Sequence, residues 1–333
     1  MKRFLRKLAP FAIFILLMEI AIPMIVDPYN VFHWSEIRDN GVEPNSNYIK
    51  MKYILENPEK FDSFLFGSSR TGFVDVERIP EGRWYNMSYS EGLPDEHLEN
   101  LKELIENGII PKNIMIGVDN ISCFVDPTLH ENQFYRIPYP RENKLSFYAN
   151  YFSIRGVIKS LDVILNHEVT DPDYVERYYR SGSSNRNVQV ENDWESDAPY
   201  WEDYYTNEIS NAVGDFVYIR DICDEYGINL IVFSNPIYYT TYQHSATYGY
   251  NLYLYWLAEY VDFYNFSGIN DVTVNQDNYI ETSHYNMEVG DMIIDRIFNG
   301  TTDETLESQG FGRLITMENR DAFYEELEAL ADY

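Results

Sequence analysis

Phe61-Asp62-Ser63-Phe64-Leu65-Phe66-Gly67-Ser68-Ser69-Arg70-Thr71-Gly72 is an apolar run that ends abruptly in small residues and hydroxyls. Phe64, Leu65 and Phe66 form the unbroken apolar stretch expected of a strand buried on both faces of a parallel sheet, and Gly67 permits a tight turn after it. Ser69 then stands at a strand's carboxyl end, where side chains of open α/β sheets project into a crevice that collects ligands and catalytic groups. An ordinary strand-to-helix turn with Ser68 or Ser69 as N-cap gives the same pattern. A phosphate cradle fits poorly, because the Gly-Lys-Ser/Thr ending of a P-loop and the spacing of a dinucleotide fingerprint are both missing.

The strand-then-polar pattern repeats outward from this stretch. Trp84 to Tyr89, Asn113 to Val118 with Asp119-Asn120 after it, Ile228 to Phe233 with Ser234-Asn235-Pro236 after it, and Val261 to Phe266 all read as strands. Between them Pro94 to Asn107 carries Leu98, Leu101, Leu104 and Ile105 on one helical face, with Gly108 as its stop. Further helices are expected over Asn47 to Asn57, Asn207 to Tyr226, Ala246 to Tyr260, Met287 to Phe298 and, acidic and C-terminal, Met317 to Ala331. Five strands alternating with helices imply an α/β fold with a mostly parallel, doubly wound sheet and right-handed crossovers. From about 124 to 204 the rhythm lapses into Pro-, Tyr- and Asn-rich sequence, read as a large insertion with one helix near Phe152 to Asn166. Loops of that length are usually lids or binding surfaces, and their tyrosines suit sugar faces as well as ordinary packing. His130 and His167 have no acid or serine at diagnostic spacing and are expected at the surface.

Far downstream, Tyr279-Ile280-Glu281-Thr282-Ser283-His284-Tyr285 places a carboxylate three residues before a histidine. Such an acid can hold one imidazole nitrogen while the other faces a nucleophile, as a serine hydrolase requires. At these two places the chain resembles the SGNH (GDSL-like) hydrolase superfamily, whose first block is Gly-Asp-Ser and whose last is Asp-x-x-His. Gly67-Ser68-Ser69 occupies the first block with Ser for Asp, and Glu281-Thr282-Ser283-His284 the last with Glu for Asp. It looks most like the membrane-anchored branch that includes alginate O-acetylation proteins and the teichoic-acid D-alanylation protein. The resemblance implies a flavodoxin-like three-layer fold and a triad of Ser69 nucleophile, His284 base and Glu281 orienter. It also implies an oxyanion hole from the Ser69 region, the second block and the third. In the second block the usual glycine is absent, Ser88 stands near its place and Gly92 lies further on; in the third, Gly117-Val118-Asp119-Asn120 inverts the usual Asn-Asp pair, leaving the Asn120 amide as the donor. Ser68, Arg70, Gly92, Asp119 and Asn235 are expected as neighbours of the site. The activity implied is O-acyl transfer or ester cleavage on a cell-surface polysaccharide or related polymer, without cofactor and beside a multi-pass membrane O-acyltransferase. A non-catalytic SGNH-like surface protein that binds polysaccharide or an assembly partner is the alternative.

Composition agrees with a globular domain. The 333 residues are 45% hydrophobic, and a net charge of -29 with no basic cluster argues against nucleic acid as a partner. Cys123 and Cys223 are too few for a disulfide scaffold and have no Cys/His cluster for zinc, so two buried free thiols are expected. Lys2, Arg3, Arg6 and Lys7 precede apolar Leu8 to Val26, which is long enough to cross a bilayer and has no small-x-small cleavage pattern after it. Residues 1–34 are therefore read as a cytoplasmic basic flank and retained signal anchor, and 35–333 as the extracytoplasmic domain. Glu19 within the span points to a membrane partner. Tyr29, Phe32, His33 and Trp34 suit the interface.

Overall fold

The computed structural model describes residues 2–166, 172–184, 194, 199–200, 206–301 and 303–331. In chain order the regular elements are α1 (Lys2–Val26), α2 (Ser46–Glu56), β1 (Ser63–Gly67), β2 (Trp84–Asn86), α3 (Pro94–Glu106), β3 (Asn113–Val118), α4 (Ile121–Phe124), α5 (Lys144–Tyr151), α6 (Ile154–Asn166), α7 (Pro172–Arg180), α8 (Ile209–Tyr226), β4 (Asn229–Ser234), α9 (Tyr239–Thr247), α10 (Tyr250–Leu257), β5 (Phe263–Asn265), α11 (Met287–Phe298), α12 (Glu304–Ser308), β6 (Arg313–Ile315) and α13 (Arg320–Ala331). The six strands form one sheet in the order β2-β1-β3-β4-β5-β6, parallel except for β6.

Period-two alternation explains how the apolar strands serve both faces. Phe64 and Phe66 of β1, Ile114 and Ile116 of β3 and Val232 of β4 point into a core shared with α2, α3, α8, α10 and α13. Leu65, Met115 and Phe233 point into a second core against α11 and the segment around Phe73 to Ile79. Helical cover on both faces is why these strands read as continuous apolar runs. The chain leaves β1 for β2 on one side and returns to β3 on the other, so the β1/β3 carboxyl ends form a switch point where the sheet opens a crevice.

Several expectations need correction. A sixth strand, β6, pairs antiparallel with β5 through Phe263 and Ile315, and its three residues are too short to carry a readable alternation. The second strand stops at Asn86 instead of Tyr89, and the helix expected over Ala246 to Tyr260 is two helices, broken where Gly249 adopts a left-handed φ of 103°. The insertion holds α5 and α7 as well as α6, and His167 lies outside the described residues. His130 is not a surface residue: it is fully buried, with Nε2 3.0 Å from Glu91 Oε2 and Nδ1 3.4 Å from Glu96 Oε1. Glu96 in turn accepts from Arg136 Nη1 at 2.8 Å; burial alone would raise its carboxyl, but Arg136 and His130 hold it down at about 2. Cys123 and Cys223 are free and buried.

The exit from α1 is a built corner. The buried Asp27 carboxylate accepts the amides of Val31, Phe32 and His33 at 2.9, 2.8 and 2.7 Å and meets His33 Nδ1 at 3.1 Å. Asp27 and Asn30 turn the chain with φ of 48° and 55°. Tyr29 packs on Phe134 and Tyr151, and Phe32 stacks on Phe152 at 5.2 Å.

Candidate active site

Beyond β1 the chain has little room. A Cβ on Gly67 would stand 2.2 Å from Thr71 Oγ1 and 3.0 Å from the Gly117 carbonyl, so only glycine lets the strand turn this close to β3. Ser68 is extended and a 3-10 turn over Ser69–Phe73 follows. Ser69 opens that turn, where its N–H has no intrahelical acceptor.

The partner loop is held at both feet. Tyr279 and Tyr285 form an antiparallel bridge, both rings are fully buried, and the Ile280 amide donates to the His284 carbonyl at 2.8 Å. Their hydroxyls donate to the Pro236 carbonyl at 3.0 Å and to Asn235 Oδ1 at 2.9 Å. Asn286 then caps α11 by accepting the Val289 amide, so the short loop between Ile280 and His284 projects from a fixed base.

These two pieces meet. His284 Nε2 lies 2.8 Å from Ser69 Oγ, and His284 Nδ1 bonds Glu281 Oε1. A carboxylate can only accept, so Nδ1 carries the proton and Nε2 is the nitrogen that accepts from Ser69. Glu281 Oε2 takes the Ser283 amide at 2.7 Å. Burial pushes the Glu281 carboxyl up, but the His284 hydrogen bond and charge, the Ser283 amide and Arg70 outweigh it and hold the group below its ordinary value. Phe73 closes over the imidazole with ring centres 5.6 Å apart.

Behind Ser69 lies a buried polar layer. Arg70, 1% exposed, donates through Nε to the Ser283 carbonyl and through Nη1 to Asn120 Oδ1, both at 2.7 Å, and its Nη1 stands 3.2 Å from Asp119 Oδ1. One side chain thus ties the serine turn to the histidine loop and to the end of β3. Ser68, unlike Ser69, bonds away from His284: it donates to Asp119 Oδ2 at 2.6 Å, which also receives Asn235 Nδ2 at 3.2 Å. Asn120 Nδ2 is buried and has no partner among the described residues. Ser88 does not supply the expected donor: its amide is committed to Asn86 Oδ1 at 2.9 Å and its carbonyl to Lys50 Nζ at 2.6 Å. Gly92 is a close-approach position, since a Cβ there would stand 2.4 Å from the Gly67 carbonyl.

Ser69 and His284 line a cavity of about 180 Å³ together with Arg70, Ser90, Glu91, Tyr135 and Tyr200. Tyr135 and Tyr200 belong to the insertion, and the Tyr200 ring lies 5.5 Å from the Arg70 guanidinium. Tyrosine richness of the insertion hinted at such a wall without singling out these two; Ser90 and Glu91 carried no signal in the sequence. Among the described residues no group of three or more His, Cys, Asp or Glu side chains is placed to hold a metal ion. No family model matches the chain, and no curated protein matches it.

Proposed function

We propose that the protein is a membrane-anchored, SGNH-like serine acyltransferase or esterase that adds or removes O-acyl groups on a cell-surface polysaccharide or related polymer. The observation that carries this reading is the hydrogen-bond chain from Ser69 through His284 to Glu281, at the carboxyl end of β1 and open to a cavity. His284 takes the Ser69 proton as Oγ attacks the acyl carbonyl, Glu281 stabilises the imidazolium, and His284 returns the proton to the leaving oxygen. Water or a sugar hydroxyl then repeats the sequence on the Ser69 ester. The Ser69 amide and Asn120 Nδ2 are the donors available to a developing oxyanion. A cavity below the roughly 300 to 1,000 Å³ usual for drug-sized ligands suits a short acyl group, with the polymer lying along the tyrosines at its mouth.

Two coarser features agree. The order of the parallel strands, 2-1-3-4-5, is that of flavodoxin-like sheets. Within α1 the 21 residues Arg6–Val26 are long and apolar enough to cross a membrane, with the basic residues at the N-terminal end. On this reading the N-terminus is cytoplasmic and the domain outside, and Glu19 within the span offers a contact for a multi-pass O-acyltransferase.

The non-catalytic scaffold remains the second reading, and the committed Ser88 amide favours it by removing one oxyanion donor. A fluorophosphonate probe separates the two. Labelling of Ser69 that is lost in Ser69→Ala and kept in Ser68→Ala is the expected result; no labelling of the folded protein overturns the enzyme.

A further inference from the structure

The helix α6 has three distinct flanks. Ile154, Ile158, Leu161 and Leu165 recur at the i, i+4, i+7, i+11 spacing that gathers side chains on one face, and they are 64, 61, 45 and 79% exposed. Arg155, Lys159, Asp162 and Asn166 form a polar flank, where Lys159 pairs with Asp162 at 2.9 Å and Asn166 donates to Asp162 at 2.8 Å. Gly156, Ser160 and Val163 form a buried third flank.

That third flank locates the other two. The helix packs against α1, and a Cβ on Gly156 would come within 3.5 Å of Pro23 Cγ. Ser160 returns its hydroxyl to the Gly156 carbonyl at 2.7 Å, so no polar group of this flank lacks a partner. Small residues four apart are what lets helices approach closely inside membranes. Where α6 meets α1, beside Pro23, Met24 and Ile25 of α1 are themselves 51 and 69% exposed.

We infer that α6 is a second membrane contact, lying in the interface beside the spanning helix with Ile154, Ile158, Leu161 and Leu165 in the acyl layer. This rests on the anchor reading of α1. Twelve residues from Ile154 to Leu165 extend only about 17 Å at 1.5 Å per residue, short of the roughly 30 Å hydrocarbon core, so the helix lies in the bilayer surface and does not cross it. A one-sided apolar stripe bordered by Arg155 and Lys159 is the pattern of interfacial helices, whose basic side chains reach phosphate headgroups while the stripe enters the acyl boundary. The occupant of the stripe is therefore lipid. With α1 as one attachment and α6 as another, the domain is held against rotation about the anchor.

The full-length chain, reconstituted in vesicles of phosphatidylcholine and phosphatidylglycerol, tests this. A nitrobenzoxadiazole label on Leu16→Cys, Ile158→Cys or Asp162→Cys is read for quenching by doxyl lipids, the two native thiols being buried. Strong quenching at 16 and 158 with little at 162 is expected, and Leu161→Cys repeats the reading one turn on should a label at 158 disturb folding. Quenching at 16 without 158 or 161 overturns the inference and leaves the anchor standing. Absence of quenching at all positions overturns both, and equal quenching at 158 and 162 overturns the one-faced orientation.

Discussion

Arg70 Nη1 lies 2.7 Å from Asn120 Oδ1, and this bond fixes which end of the Asn120 amide is occupied. A guanidinium only donates, so the oxygen must turn toward Arg70 and Nδ2 keeps its donors. The residue after Ser69 thereby orients a donor just beyond the end of β3.

If Nδ2 serves a developing oxyanion, Asn120→Ala should lower kcat on p-nitrophenyl acetate by about 10² to 10³ and leave KM nearly unchanged. Steady-state kinetics on the detergent-solubilised chain give both constants. An unchanged kcat would remove Asn120 from the oxyanion hole.

The turn that carries Ser69 is packed against α11. A Cβ on Gly290 of α11 would stand 2.0 Å from the Phe73 carbonyl, at the end of the turn that Ser69 begins. Gly290→Ala should cost about 1 to 3 kcal/mol as an overpacked contact. It should also reduce kcat by at least about tenfold through the near-attack geometry. Circular dichroism and kinetics together test this, and a folded variant with full activity refutes it.

Glu281→Gln keeps the shape of the acid but not its charge, and should reduce kcat by about 10⁴; adding His284→Ala should reduce it little further. The same variant has a stability signature. The Glu281 carboxyl is held below its ordinary 4.5, so its ionised form stabilises the fold above about pH 4.5, and that contribution is lost as pH falls through the lower folded value. The Tm difference between parent and variant should be flat from pH 7 to 4.5 and shrink below it.

His97 sets a different acid limb. Burial drives its imidazole from 6.5 down to about 3, with Glu96 opposing and Arg136 assisting, and the ring stacks on Phe66. Below pH 6.5 the unfolded chain takes up a proton that the folded chain refuses until about pH 3, so stability rises with pH through that window. His97→Phe should flatten the Tm profile between pH 6.5 and 4.5. An unaltered slope would mean that His97 is not the group responsible.

The sheet was readable because each long strand is apolar on both faces and ends in polar residues; Phe64 to Phe66 and Asn113 to Val118 needed no tertiary information. The strand β6 was not, since Arg313, Leu314 and Ile315 acquire strand geometry only from pairing with β5. At the site, Glu281 and His284 stood out by their three-residue spacing and Ser69 by its place at the end of an apolar run. The burial of His130 did not, because it depends on Glu91, Glu96 and Arg136, up to 39 positions away from it in sequence. The misreading of Ser88 has the same origin: a backbone amide has no sequence signature, and its acceptor Asn86 is defined only by how the chain leaves β2.

The Asp27 corner has a mechanical consequence. A flexible linker would let a catalytic head sweep a hemisphere above its anchor and hunt for acyl groups over nanometres. Here the carboxylate gathers three successive amides within a few residues of the helix end, and aromatic rings from the insertion close on the turn. Torque on the domain is transmitted to the helix instead of being absorbed between them. Under the proposed anchoring by α1, search would then fall to lateral diffusion of the whole molecule, in two dimensions and at one height, and substrate would have to be presented at that height by its own length or by a neighbouring protein.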